Sequence, residues 1–186
     1  MNKALFLDRD GVINHDYGYV FRRNEFIFKE GIFKLVKKAN FFNFLVIVIT
    51  NQAGIGRGYY SEKQFISLNN WMIGEFEKKG CKITETFFCP FHPTEGIKNY
   101  KIESFDRKPN PGMILKAAEK YTINLNNSIL VGDKTSDIKA GIAAGISNLY
   151  LLCDNKKYPG AISIDNLKKA IVTLEKGNSI DLAAGV

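Results

Sequence analysis

Apolar runs and polar breaks alternate along this chain in a way that predicts most of its elements. Blocks of strand length, rich in branched and aromatic residues, stand at Lys3–Leu7, Leu45–Thr50, Thr84–Cys89, Ser128–Gly132 and Ser147–Leu152, and Ala161–Ile164 would add a short edge strand. Between the first two blocks Ile32, Leu35, Val36 and Ala39 recur at helical spacing. A second helix is expected from Ser61, where Ser61-Glu62-Lys63-Gln64 reads as a capping box, to about Gly80. A third should start after Asn110, with Pro111 in its first turn, and a fourth should run over Ser136–Ala144 and stop at Gly145. A last helix is expected over Asn166–Lys176, with a frayed tail beyond Gly177.

Strands that alternate with helices predict βαβ units. The expected fold is therefore a three-layer α/β domain, a Rossmann-like parallel sheet with helices on both faces. The stretch Pro90 to Pro109 breaks the rhythm with Pro, Gly, Asn and charge but no period. It is expected to be a long loop, about 90–109, at the carboxyl edge of the sheet, and loops of that length tend to be functional or mobile. No repeat or linker divides the chain, so residues 1–186 read as a single domain.

Composition narrows the possible partners. The hydrophobic share of 45% and charged share of 24% are those of a globular domain. The longest apolar stretch, Phe41 to Thr50, carries Asn43 and is too short to cross a membrane. The chain opens on a strand-like run without a basic leader, and Cys81, Cys89 and Cys153 have no framework spacing, so a reducing cytoplasm is expected. The net charge of +7 suits an anionic partner. Its lysines are scattered in pairs such as Lys37-Lys38 and Lys78-Lys79, and no basic run makes a nucleic-acid track. The expectation is a phosphorylated small molecule bound by a monomer, with neither nucleic acid nor membrane as partner.

Four motifs follow or abut strand ends, which all lie on one edge of a parallel sheet. Asp8-Arg9-Asp10-Gly11-Val12 comes first, directly after the opening strand. Two carboxylates so placed repel each other unless a cation or a shared proton relieves them. Strand alternation would turn both acids to one crevice and Arg9 away from it, so Arg9 receives no catalytic role. The second motif, Thr50-Asn51-Gln52-Ala53-Gly54-Ile55-Gly56-Arg57-Gly58, offers a hydroxyl, glycines and an arginine to a phosphate. The third, Arg107-Lys108-Pro109-Asn110-Pro111-Gly112, sets two cations before a helix. In the fourth, Gly132-Asp133-Lys134-Thr135-Ser136-Asp137, Asp133 and Asp137 could complete a hard oxygen shell for Mg²⁺.

In this order the four motifs resemble the haloacid dehalogenase superfamily of phosphatases over nearly the whole chain. Leu5–Asn14, Thr50–Gly58 and Arg107–Met113 are similar to its heptose-bisphosphate phosphatase branch, which also holds the histidinol-phosphate phosphatases. The resemblance implies a minimal cap and a phosphoaspartyl intermediate. It implies Asp8 as nucleophile, Asp10 as general acid and base, and Thr50 and Lys108 as holders of the phosphoryl oxygens. It implies Mg²⁺ on Asp8, the Asp10 carbonyl and Asp133, with Asp137 behind them. Arg107 and Lys134, and from the second motif Asn51, Gln52 and Arg57, would contact substrate. The expected reaction is Mg²⁺-dependent removal of the 7-phosphate of D-glycero-D-manno-heptose 1,7-bisphosphate.

Many members of that branch hold a structural zinc through a Cys-x-His pair and a later Cys-x-Cys pair. Here Cys89-Pro90-Phe91-His92 puts Phe91 in the histidine's place, and Ser104-Phe105-Asp106 has no cysteine. Cys89, His92 and Asp106 are three candidates for a site that wants four N or S donors, so zinc is expected to be absent. Three rivals are histidinol-phosphate phosphatase, a polynucleotide 3′-phosphatase, and a phosphoaspartate receiver module. The receiver would carry its acids on separate strands, whereas Asp8 and Asp10 follow one.

Overall fold

The computed structural model describes residues 1–153 and 157–179. Six strands form one parallel sheet: β1 (Lys3–Leu7), β2 (Phe44–Asn51), β3 (Glu85–Cys89), β4 (Ile129–Gly132), β5 (Asn148–Leu152) and β6 (Ile162–Ile164). Their order in space is β3-β2-β1-β4-β5-β6, and β6 is at the edge, as expected. The order reverses between β1 and β4. Connections on either side of that point leave on opposite faces of the sheet, opening a crevice outside the carboxyl ends of the two strands.

The helices are α1 (Ile32–Phe41), α2 (Ala53–Gly56), α3 (Glu62–Lys78), α4 (Gly112–Tyr121), α5 (Thr135–Ala144) and α6 (Lys168–Ser179). Strand alternation sorts their partners. Leu5, Leu7, Val46 and Val48 face a core with Leu35 and Val36 of α1, Leu68 and Met72 of α3, and Ile171 of α6. Ala4, Phe6, Ile47 and Ile49 face the other way, against Met113 and Ile114 of α4 and Ile138 of α5. The sheet is buried on both sides, which is why its central strands read as continuous apolar runs.

Element ends moved by a residue or two where side-chain chemistry decides. Ser128 precedes β4 rather than opening it: its hydroxyl accepts from the Ala4 N–H at 3.0 Å and donates to the Asn124 carbonyl at 2.6 Å. Ser61 does form the capping box, taking the Gln64 N–H at 3.2 Å while Gln64 takes the Ser61 N–H at 2.8 Å. Pro111 is the residue before α4 rather than within it, and Gly145 closes α5 in the left-handed region, φ 89°. The one-turn helix α2 was not expected; it folds inside the loop after β2. The long 90–109 segment carries only a short 3₁₀ turn, Lys98–Tyr100. The tail expected to fray lies, from position 180 onward, outside the described residues.

Candidate active site

The ends of β1 and β4 are neighbours, so the acids that follow them meet. One oxygen each of Asp8, Asp133 and Asp137 lies within 4.8 Å of the others. Lys108 reaches this group from the loop before α4: its Nζ stands 2.9 Å from Asp8 Oδ1 and 2.7 Å from Asp137 Oδ1, and it donates to the Ile49 carbonyl at 2.9 Å. Asp137 is itself held by its place in the first turn of α5, where Oδ2 accepts the N–H groups of Asp133 and Lys134 at 3.1 and 2.9 Å. Gly11 makes the close approach possible. At φ +93° its backbone passes so near Asp133 that an added Cβ would sit 2.1 Å from Oδ2.

Three acids around one ammonium leave negative charge in excess, in a place where water is scarce. Burial pushes the Asp8 carboxyl well above the ordinary range, with Asp137 and Asp133 adding to the rise and Lys108 opposing it. Burial likewise raises Asp133, to about 6. Burial alone would lower Lys108, but Asp137 and Asp8 outweigh it and hold the ammonium charged. Asp133 Oδ1 is buried without a hydrogen-bond partner. An orphaned carboxylate oxygen beside two more acids is the donor set that a hard divalent cation takes.

Above this floor opens a pocket of about 470 Å³. It is lined by all the catalytic, Mg²⁺ and substrate residues expected from the sequence except Asp133, which lies in the acid cluster behind. Thr50, at the end of β2, is 1% exposed and accepts from Gln52 Nε2 at 2.8 Å. Gln52 also donates to Asp10 Oδ2 at 3.0 Å and accepts from the Tyr60 hydroxyl at 2.6 Å. Asn51 grips the Lys108 backbone with both ends of its carboxamide, each at 3.0 Å. The polar groups of Gln52 and Asn51 are thus engaged with the protein, and what they do first is fix Asp10, Thr50 and Lys108.

The expectation for Arg9 is overturned. The strand ends at Leu7, and the chain then turns so tightly that the Arg9 carbonyl faces the N–H groups of Val12, Ile13 and Asn14 at 2.8–3.3 Å. Alternation does not extend into such a turn. Instead of pointing away from the acids, the Arg9 side chain is fully buried and folds back on Asp10, with Nη2 2.6 Å from Oδ1 and 2.7 Å from Oδ2.

Three cations stand at the rim. Lys134 pairs with Asp16 at 2.9 Å, and against burial Asp133 and Asp16 together raise its ammonium; the same contact, with the Gly18 N–H, holds Asp16 below the usual carboxylate range against the effect of burial. Arg57 pairs with Glu95 and lies 5.6 Å from the centre of the Tyr19 ring. Arg107 donates to the Phe91 carbonyl at 3.1 Å and still lines the pocket. Asp16, Tyr19, Tyr60 and Asn14 escaped the sequence reading. Only Asn14 carried a signal, as part of the first motif; the others gain their meaning from contacts across the fold.

A pocket with one buried ammonium, a cation-ready acid cluster, a hydroxyl and three cations at its mouth can hold a phosphoryl group and its anionic remainder. Asp8 lies at its bottom where it can meet phosphorus. Among the long-loop residues, His92 Nδ1 accepts the Glu95 N–H at 3.1 Å, Asp106 pairs with Lys116, and Cys89 is buried at the end of β3.

Comparison with known proteins agrees with this chemistry. A family model described as HAD-hydrolase-like matches residues 105–161. The chain is 56% identical over 153 residues to a D-glycero-alpha-D-manno-heptose-1,7-bisphosphate 7-phosphatase of Burkholderia mallei, covering 82% of this chain and 81% of that one. It is 44% identical over 153 residues to a D-glycero-beta-D-manno-heptose-1,7-bisphosphate 7-phosphatase of Vibrio cholerae, covering 82% of each. Among solved structures, a HAD-like phosphatase from Mesorhizobium loti superposes with a TM-score of 0.87 at 31% identity over 95% of this chain and 87% of that one. The D,D-heptose 1,7-bisphosphate phosphatase of B. bronchiseptica, complexed with magnesium and phosphate, gives 0.81 at 26% identity over 94% and 98%.

Proposed function

This chain belongs to the haloacid dehalogenase-like phosphatases, in the branch of the heptose-1,7-bisphosphate 7-phosphatases, and we propose that it removes the 7-phosphate of D-glycero-D-manno-heptose 1,7-bisphosphate through Asp8. One observation carries the reading: the Lys108 ammonium touches Asp8 and Asp137 at the bottom of a pocket whose mouth holds Arg57, Arg107 and Lys134.

In the first step an Asp8 oxygen attacks phosphorus in line, and the bond to the sugar oxygen breaks. Lys108 and the Thr50 hydroxyl hold the phosphoryl oxygens, and Asp10 gives its proton to the departing alkoxide. In the second step water attacks the aspartyl phosphate, its proton passes to Asp10, and Asp8 is released with inorganic phosphate. The rim cations suit the phosphate that stays on the sugar. Asp8, the Asp10 carbonyl and Asp133 would hold Mg²⁺, with Asp137 behind them, as the orphaned Asp133 oxygen and the raised Asp8 and Asp133 carboxyls indicate. When bound, the cation supplies further neutralisation of phosphoryl charge.

We read the 90–109 loop as free of zinc, since His92 and Asp106 already have protein partners and Ser104-Phe105-Asp106 supplies no cysteine. The proposed setting is the cytoplasm, with the chain acting as a monomer on a small phosphorylated sugar. In support, Cys81 and Cys89 are free thiols, and no helix among the described residues is long and apolar enough to cross a membrane.

The test is Mg²⁺-dependent phosphate release from both anomers of the heptose bisphosphate, with histidinol phosphate and a 3′-phosphorylated oligonucleotide as competitors. The expected result is a preference for one heptose anomer of about a hundredfold or more in kcat/KM, lost in Asp8→Asn. Turnover by Asp8→Asn near the wild-type rate would refute the mechanism; equal slow rates on every substrate would refute the substrate.

A further inference from the structure

Asp10 accepts five hydrogen bonds from protein side chains. Oδ1 accepts from Arg9 Nε at 3.1 Å, Arg9 Nη2 at 2.6 Å and Asn14 Nδ2 at 3.0 Å; Oδ2 accepts from Arg9 Nη2 at 2.7 Å and Gln52 Nε2 at 3.0 Å. Arg9 makes three of these contacts and is the only cation among them. It is also the largest side chain of the described residues with almost no exposure.

Stability does not account for this arginine. A buried ion pair is often no better than apolar residues of the same volume, because desolvation offsets the attraction. Arg9 is placed worse than that, since Nη1 is buried without any hydrogen-bond partner. Its plane lies beside the Phe65 ring, 5.6 Å to the centroid, in a neighbourhood that would accept a methionine or a leucine. The remaining contact, Nη2 to the Val20 carbonyl at 2.7 Å, ties the guanidinium to the loop that carries Asp16 and Tyr19 to the pocket.

We propose that Arg9 is a positioning residue for the phosphatase reaction: its guanidinium fixes the plane of the Asp10 carboxyl so that one oxygen faces the bond that breaks. This rests on the proposed reaction at Asp8. Asn14 and Gln52 each hold one oxygen by a single bond, and only the guanidinium spans both, while proton transfer needs an oxygen within hydrogen-bond reach of the reacting atom. Arginine suits the task because its fork meets a carboxylate at more than one point, whereas an ammonium meets it as a point charge.

The test uses Arg9→Met, which keeps the volume and loses the fork, and Arg9→Lys, which keeps a charge. Each is assayed on heptose bisphosphate and on p-nitrophenyl phosphate, whose leaving group departs without an acid. Positioning predicts that kcat on the sugar falls about a hundredfold in Arg9→Met with KM within about threefold, and less in Arg9→Lys. It also predicts that p-nitrophenyl phosphate gives a burst of phenolate followed by slow turnover, because the second step still needs a placed Asp10. The aspartyl phosphate should then accumulate and be trapped by acid quench. If Arg9→Met does not fold, the burst in Arg9→Lys decides.

Wild-type kcat in a folded variant would overturn the proposal, as would an equal loss on both substrates without a burst, which is the mark of general damage. Asp8→Asn separates the two levels. If it is inactive and forms no phosphoenzyme while the Arg9 variants behave as wild type, only the role of Arg9 falls. If Asp8→Asn turns over, the reaction itself is wrong and the role of Arg9 falls with it.

Discussion

The carboxamide of Asn51 brackets the peptide backbone of Lys108: Nδ2 donates to its carbonyl and Oδ1 accepts its N–H, both at 3.0 Å. Asn51 ends β2 and Lys108 lies 57 residues later, so this contact seats the second motif against the third. It sets where the buried ammonium emerges, and through it the 2.9 Å contact with Asp8.

Asn51→Ala should therefore act through Lys108. Two half-buried backbone groups lose their partner, which costs about 1–3 kcal/mol in a denaturant melt. In the assay kcat should fall about tenfold or more, with KM moving less, because a small displacement of a charged group weakens transition-state contacts. A rise in KM at unchanged kcat would return Asn51 to direct substrate contact.

Gly11→Ala should disturb the cation site while leaving every proposed catalytic side chain in the sequence. The new Cβ would meet Asp133 Oδ2 at 2.1 Å, on a backbone at φ +93° that alanine resists. A stability loss of about 1–3 kcal/mol is expected. Mg²⁺ affinity by calorimetry should fall about tenfold or more, as it does when groups that orient a ligand are moved. Undiminished Mg²⁺ binding would show that Asp133 does not hold the ion.

The raised acids give metal-free protein a pH dependence of definite sign. Asp133 titrates at about 6, above its ordinary value of 3.8, and Asp8 is raised in the same direction by burial. Between those values the folded state binds more protons than the unfolded chain, so stability is withdrawn as pH rises through the window. Asp16, held below the ordinary range, contributes stability that is lost only at lower pH, and Lys108 acts only in the alkaline range. Thermal melts of metal-free protein should show a lower Tm at about pH 7.5 than at about pH 5, and Mg²⁺ should raise Tm more at the higher pH. An equal Mg²⁺ shift at both would exclude these acids as the site.

Zinc in the 90–109 loop is open to direct measurement. Protein purified from zinc-supplemented cells and dialysed should carry far less than one zinc per chain by elemental analysis, and a chelator should leave its Tm unchanged. A stoichiometric zinc lost together with stability would mean that Cys89, His92 and Asp106 have recruited a further ligand.

Much of this was legible before the fold. Val46 to Ile49 is apolar at every position because β2 is buried on both faces, and that run reads as a central strand in any parallel sheet. The Ser61 capping box and Gly145 stop follow from side chains a few residues apart. Arg9 departs from alternation because it lies two residues past Leu7, where a turn replaces the strand. Motif spacing says what Asn51 and Gln52 offer, and only the fold shows that their carboxamides also hold Lys108, Thr50 and Asp10 while lining the pocket.

By itself, then, the sequence determined the alternation of strands and helices, the four charged motifs and their common edge, since these depend on local periodicity and on the direction of a parallel sheet. Only the tertiary structure decided that Asn51 brackets the Lys108 backbone, that Lys134 meets Asp16 over 118 residues, and that Arg9 turns inward to Asp10. The reason is physical: backbone pattern is written in neighbouring residues, whereas the partner of a buried charge is whichever opposite charge packing brings within about 3–4 Å.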